Sequence, residues 1–349
     1  MLQVNSLIKS IAKQSVSYNK AMSSPKLLIT PDYIRAAIKA IEKAEHRVIF
    51  MSLMFTDDDV TDDFVDALEA AAGRGVSVQI AADTFTYGEL GGHFVPFKFF
   101  KEKSRATTKV VRELTKKGVT FNWLGRFSTT PVTGRTHIKC LVVDDTVFSF
   151  GGVNLYGKDI TGNVDYMFRC EDDRLADDLV HEFNQITKAD RSHFAYRSHK
   201  FSYGKHTVLT DGGFQGDSII YRRAVELAKE ASDILLVSQY CPTGKLSRVI
   251  KTKPSRLYFN PPHLAGPLNK MVISVGMFFS NHKTLYTRNR YLHAKFMIFT
   301  MPDGHKIALS GSHNFVYGGV LLGTREIALE TADPKIIRQL EAFFREHVA

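Results

Sequence analysis

Cysteine is scarce. Cys140, Cys170 and Cys241 are the only three in 349 residues, an odd number, widely spaced and without a Cys-x-x-Cys pair. That excludes a disulfide framework and a cysteine zinc site, and makes a reducing compartment the expectation. Long apolar runs are missing too: no window approaches the ~18 uninterrupted apolar residues of a membrane span, and no cationic start leads into an apolar run and a small-residue cleavage site. The expectation is a chain without signal peptide or transmembrane helix, cytoplasmic and peripheral on a membrane. Acidic residues are outnumbered, 36 Asp and Glu against 46 Lys and Arg, for a formal net charge of +10. Such a field attracts nucleic acid, anionic lipid surfaces or phosphorylated small molecules without choosing among them. A chain that is 44% hydrophobic and 23% charged is neither disordered nor a fibrous rod, and its length suits two domains.

Local patterns give the organisation. Val4, Leu7, Ile8 and Ile11 lie at helical spacing with Lys9 and Lys13 opposite, so residues 1–27 read as a tail or surface amphipathic helix. Thr30 with Pro31 predicts a helix start with Thr30 as N-cap, and Ile34, Ala37, Ile38 and Ile41 form its apolar stripe. The run Val48 to Phe55 is apolar on both faces, as in a strand covered on both sides. A helix through Phe64, Leu68 and Ala71, a strand Val76 to Ile80, a helix through Val110, Val111 and Leu114 and a strand Val119 to Phe121 continue an α/β alternation. The second half repeats it with a helix near 218–231 and strands at Ile234 to Val237 and Arg256 to Phe259. Residues 28–190 and 218–349 thus read as two domains, with the polar, glycine-bearing segment 191–217 as linker.

The strongest signal is a pair of matching strings. Thr136-His137-Ile138-Lys139 runs through apolar residues to Asp144 and then to Gly151-Gly152-Val153-Asn154; Leu292-His293-Ala294-Lys295 runs to Thr300 and then to Gly311-Ser312-His313-Asn314. Asn154 lies 17 residues after His137 and Asn314 lies 21 after His293, the excess fitting a longer turn at Met301 to Gly304. On a strand, His and Lys two apart project from one face. Two Lys ammonium groups, Asn154 and Asn314, and the backbone N–H groups of Gly152 and Gly311, with Ser312 as helper, would cradle the anionic oxygens of a phosphodiester. Of two imidazoles, one attacks phosphorus to give a phosphohistidine while the other protonates the leaving alkoxide and then activates water or an alcohol. A histidine in such a role needs an orienting acid. Asp165 lies 28 residues after His137 and Glu326 lies 33 after His293, so each half carries an acid behind its own motif.

His-x-Lys-x4-Asp followed by Gly-Gly-x-Asn or Gly-Ser-x-Asn, twice in one chain, resembles the phospholipase D superfamily over roughly residues 28–347, including Arg74-Gly75-Val76. The resemblance implies two tandem α/β/α sandwich domains related by a pseudo-two-fold axis, with one active site between them, no cofactor and no metal. It implies His137 as nucleophile, His293 as general acid and base, and Asp144 as a structural motif residue. Thr300 departs from the pattern, standing where the second motif has Asp.

The motifs leave the phosphodiester open. Residues 85–105 interleave phenylalanines with cations, including Phe97, Lys98 and Lys101, a composition that suits an anionic membrane boundary or the stacking of single-stranded nucleic acid. The apolar segment 267–279 fits a buried helix, and its Met and Phe content would also suit a lipid-chain channel. A phospholipid substrate with an anionic membrane surface as partner is the expectation; a nuclease on single strands and a non-catalytic lipid- or nucleic-acid-binding protein are the alternatives. Oligomeric state is not legible.

Overall fold

A computed structural model describes residues 24–87, 102–125, 133–192 and 194–349. The amphipathic stretch at Val4 to Ile11 and the candidate residues Phe97, Lys98 and Lys101 lie outside them. In the first half, strand β1 (Lys26–Ile29) runs into helix α1 (Thr30–Glu42) and strand β2 (Arg47–Ser52). Helix α2 (Asp62–Gly73), β3 (Ser77–Asp83), α3 (Glu102–Lys116) and β4 (Thr120–Leu124) complete the predicted alternation. The hairpin of β5 (Cys140–Val143) and β6 (Thr146–Ser149) follows, then α4 (Gly157–Gly162), β7 (Asn163–Val164), β8 (Tyr166–Glu171) and the long helix α5 (Asp173–Arg191). Thr30 does not cap α1: Ile29 holds the N-cap position without a side-chain bond, and the Thr30 hydroxyl donates to the carbonyl of Asp165 at 2.9 Å.

The second half supplies β9 (His199–Tyr203), β10 (His206–Gly212), α6 (Ile219–Glu230), β11 (Asp233–Val237), α7 (Gly244–Ile250) and β12 (Ser255–Tyr258). It ends with α8 (Pro267–Ser280), β13 (Tyr291–Leu292), β14 (Phe296–Thr300), β15 (Lys306–Gly311), α9 (Tyr317–Leu322), β16 (Arg325–Thr331) and α10 (Pro334–Phe343). Segment 191–217 is therefore not a linker, because β9 and β10 run through its middle as an edge hairpin of the second sheet. Its polarity has a simpler cause: β9 alternates between exposed and half-buried residues, as an edge strand with one solvated face does.

Two seven-stranded mixed sheets result, ordered β1-β8-β6-β5-β2-β3-β4 and β12-β11-β14-β15-β16-β10-β9. They share one plan. In each, a parallel pair (β2 with β3, β11 with β12) is joined on its other side by the antiparallel strand that follows a His-x-Lys string, β5 or β14. The sheets face each other across a common core to which the first contributes Val142, Tyr166 and Phe168, the second Phe296, Ile298 and Ile327, and α5 and α10 the residues between. Phe343 of α10 packs edge-on against Tyr166, with ring centroids 4.8 Å apart. Each outer face has its own core, under α1 and α2 on one side and under α6 and α7 on the other. Segment 267–279 forms the expected helix but is not buried by it: only Ile273, Gly276 and Ser280 of α8 are inside. No helix among the described residues is long and apolar enough to cross a membrane.

The two motif ends differ as their sequences do. Asp144 turns the β5–β6 hairpin at φ +50°, and its carboxylate accepts the backbone N–H groups of Glu45, His46 and Arg47, each at 2.9 Å. Partial burial would raise its pKa, but those donors hold it below the usual value. It thus ties the hairpin to the start of β2. At Thr300 the same tie is made by the backbone: the carbonyl accepts the N–H of Ser232 at 2.8 Å and its hydroxyl at 3.0 Å. An aspartate is not needed there, and Asp303 instead pairs with His305 within its own turn. Seven residues of extended chain put either position ~20 Å from its histidine. Asp144→Ala should therefore cost about 2–3 kcal/mol in urea unfolding, since three backbone donors lose an ionised acceptor, while Thr300→Ala should cost less than about 0.5 kcal/mol.

Candidate active site

The two His-x-Lys strings lie in the extended segments that lead into β5 and β14, just outside the ladders. Each is bonded to the other half of the chain. The N–H of His137 donates to the carbonyl of Arg325 at 2.9 Å, and the N–H of Arg325 to the carbonyl of Arg135 at 2.8 Å. On the other side β13 pairs in parallel with β7, placing Leu292 beside Val164, and the N–H of His293 donates to the carbonyl of Val164 at 3.0 Å. Each histidine is thus stitched to the residue preceding an acid that belongs to the opposite half.

The side chains follow the backbone. His137 Nδ1 lies 3.0 Å from Glu326 Oε2, and His293 Nδ1 lies 2.7 Å from Asp165 Oδ2. Asp165 and Glu326 are each hydrogen-bonded to a histidine, but to that of the opposite half, whereas the sequence reading counted each acid from the histidine of its own half. The cause is the pair of cross-half bridges. With a carboxylate accepting at Nδ1, that nitrogen carries the proton and Nε2 of each ring is left to the reacting centre.

Several candidate phosphate ligands prove to be fixtures of this frame. The N–H of Gly152 donates to Asp165 Oδ1 at 3.2 Å, alongside that of Tyr166 at 2.8 Å. Gly311 donates its N–H to the Lys295 carbonyl at 3.2 Å, and a Cβ there would stand 2.1 Å from the Ile327 carbonyl oxygen, so glycine is required by strand approach. Ser312 donates its hydroxyl to Glu326 Oε2 and receives the N–H of Ile327 at 3.1 Å, so it holds the acid rather than a substrate. These three correct the expectation that they line a phosphate cradle.

The lysines and asparagines remain. Lys139 and Lys295 are among the most deeply buried side chains of the protein, and each ammonium donates to the carbonyl of the histidine two residues earlier. Each keeps further N–H donors for an anion. Asn154 donates to Asp159 Oδ2 at 2.7 Å. Asn314 is buried with no hydrogen-bond partner for its amide oxygen among the described residues, an incomplete amide. Sequence reasoning missed Asp159, which also receives the amide of Asn163 at 2.9 Å, and Thr30, which holds the Asp165 carbonyl. The Asn-x4-Asp spacing at Asn154 was a usable signal for Asp159; nothing local marked Thr30.

Burial dominates the electrostatics. It pushes His137 down to about 4, with Lys139 adding to the effect and Glu326 opposing it. It pushes Lys139 down to about 7, helped by the facing charge of Lys295, and Lys295 down to about 8 against the pull of the nearby carboxylates. His293 is lowered too, by burial and then by Lys295. Glu326, which burial alone would raise, is brought to about 2 by His137, His313 and Lys139. The site therefore sets two carboxylates against two imidazoles that burial biases toward the neutral form, with two buried lysines whose charge the nearby carboxylates only partly sustain. An anion carrying two peripheral oxygens would complete it.

Residues 37–187 match the family model described as cardiolipin synthase, PLD-like domain. Cardiolipin synthase B of Escherichia coli (strain K12) is 27% identical over 177 residues, 48% of this chain and 39% of that protein. The cardiolipin synthase B of Salmonella typhimurium (strain LT2) is 27% identical over 163 residues, 43% of this chain and 35% of its own. The chain therefore matches well under half the length of these curated relatives. A solved phosphatidylserine synthase from Haemophilus influenzae Rd KW20 superposes with a TM-score of 0.72 over 98% of this chain and 91% of its own, at 14% identity. That likeness concerns the fold. Over residues 37–187 the chain is thus similar to PLD-like domains, and the second His-x-Lys and Gly-x-x-Asn strings, on a matching sheet, repeat that pattern beyond the match.

Proposed function

We propose that the protein is a metal-independent phosphodiesterase or phosphatidyltransferase acting on phospholipids through a phosphohistidine. The observation that carries the reading is the exchange of acids between halves: two carboxylate-oriented imidazoles with free Nε2 atoms stand over two buried lysines. The family description and the cardiolipin synthase B relatives support a phospholipid as the diester.

His137 is the nucleophile. Its lowered pKa keeps Nε2 unprotonated at ordinary pH, and Glu326 accepts at Nδ1 and stabilises the positive charge that the ring acquires when the P–N bond forms. As that bond forms, the P–O bond to the departing alcohol breaks, and protonated His293 delivers its Nε2 proton to the alkoxide. Neutral His293 then takes a proton from water or an acceptor alcohol, whose oxygen attacks phosphorus and expels His137. Lys139, Lys295, Asn154 and Asn314 hold the non-bridging oxygens, and the arriving anion restores the charge that burial takes from both lysines. Exclusion of water makes each of these interactions stronger than it would be in solvent.

With excess chelator, phosphatidylglycerol vesicles and glycerol as an added acceptor, mass spectrometry should reveal new phosphatidyl products or phosphatidic acid. His137→Asn and His293→Asn should each lower turnover by about 10⁴-fold, since the two act as a unit. Intact lipid with cleaved single-stranded DNA would replace the lipid reading with a nuclease, and full turnover by either folded variant would end both.

The pH dependence of kcat/KM has a worked sign. His137 must be unprotonated, so activity rises with pH through about 4. His293 must be protonated, and its lowered pKa makes activity fall below the usual histidine range, so the optimum lies on the acid side of neutrality. The exchanged pairing adds a residue-specific outcome. Glu326→Gln should move the rising limb to lower pH and Asp165→Asn the falling limb to lower pH, each removing the anion that favours its imidazolium; the reverse assignment would mean that the acids serve their own halves.

A further inference from the structure

Helix α8 is built with apolar residues on both sides. Inward it presents Ile273, Gly276 and Ser280, and a Cβ at Gly276 would stand 3.3 Å from Cys241 Cβ, so the helix backbone rides close on the segment after β11. Outward it presents Leu268, Met271, Val272, Val275, Phe278 and Phe279, all exposed, the two phenylalanines at 81% and 78%. Steps of three and four residues make these one continuous stripe. Single exposed apolar residues are ordinary, whereas a stripe ending in two bare phenylalanines is a surface built to be covered.

Charge identifies the cover. Between residues 234 and 302 the chain has ten Lys and Arg and no Asp or Glu. The entire net charge of +10 therefore sits in this stretch, and the rest of the chain is balanced. Lys270 and Lys283 flank the stripe, and α7 with its cap turns Lys245, Arg248 and Lys251 outward at three-residue steps. A second copy docked through the same face would oppose two acid-free surfaces, which repel. Nucleic acid would satisfy the cations and leave the Met, Val and Phe stripe wet. An anionic bilayer meets both needs, with acyl chains for the stripe and headgroups for the ammonium groups.

Position ties this surface to the site. Tyr240 donates its hydroxyl to Asn269 Oδ1 of α8 at 2.7 Å, and Gln239 Nε2 donates to the hydroxyls of Tyr240 and Tyr291 at 3.1 Å each. Tyr291 stands two residues before His293. We propose that α8 is an interfacial element that inserts Phe278 and Phe279 into an anionic phospholipid surface, with its flanking lysines among the headgroups, and so holds the rim of the active site at the bilayer. The choice of ligand rests on the phospholipid reading of the site, but binding is measured without turnover and can fail separately.

The full chain should sediment with phosphatidylcholine vesicles only when phosphatidylglycerol is included, and less so as salt is raised. Phe278→Ser/Phe279→Ser should weaken the partitioning by about tenfold or more at an unchanged melting temperature, and Lys245→Gln/Lys251→Gln by several-fold. Since the native cysteines are buried, an environment-sensitive probe on Val275→Cys should shift to the blue on the same vesicles, a readout that needs no serine variant to fold. Unaltered binding by the double serine variant, or no probe shift, would overturn the proposal. So would a lipid-free dimer in sedimentation equilibrium that the double serine variant dissolves. A chain that binds through α8 yet consumes no lipid would overturn the proposed reaction alone.

Discussion

Everything at the centre of this protein depends on two backbone bridges between halves, one joining Thr136 to Arg325 and the other β13 to β7. Each aligns a histidine with the residue before a distant acid, and the imidazole–carboxylate bonds then form by register. Neither bridge is long. They hold because the sheets behind them share one apolar core, in which Tyr166 and Phe296, one from each sheet, pack against each other and against Phe343.

That core sustains an arrangement that is unfavourable in isolation. Two lysines and two acids are buried within one site, and each buried ion carries a desolvation penalty of several kcal/mol that its neighbours offset only in part. The depressed lysines express that cost directly, as does the unpartnered amide oxygen of Asn314. The site is poised to gain from an anion and is held in place by packing elsewhere, which is how strained or charged centres persist in stable folds.

Much of this was legible in the chain. The His-x-Lys strings, the trailing asparagines and both acids were identified from residue types and spacing, and the α/β alternation from apolar periodicity. What local pattern does not carry is contact between elements far apart in sequence. The exchange of Asp165 and Glu326, 128 and 189 residues from their histidines, leaves no trace in spacing, and counting from the nearer motif gave the wrong partner. Gly152, Gly311 and Ser312 read as anion ligands in the sequence, because small residues that bond a carboxylate or allow close strand approach look the same there. The edge hairpin β9–β10 looked like a linker because an edge strand is half solvated. Thr300 departs from the pattern, and there a backbone carbonyl accepts from Ser232 where Asp144 accepts with a carboxylate.

The exchange of acids also limits how such a chain can be divided. A segment with one copy of the pattern would bring a histidine without its carboxylate and a carboxylate without its histidine. It could complete the pair only by meeting a second copy of itself across a two-fold axis, each lending the other its acid. In the present chain the same reciprocity makes the halves mutually dependent, so a substitution near Asp165 is felt at the histidine of the other half, and neither half can drift in register without disarming its counterpart.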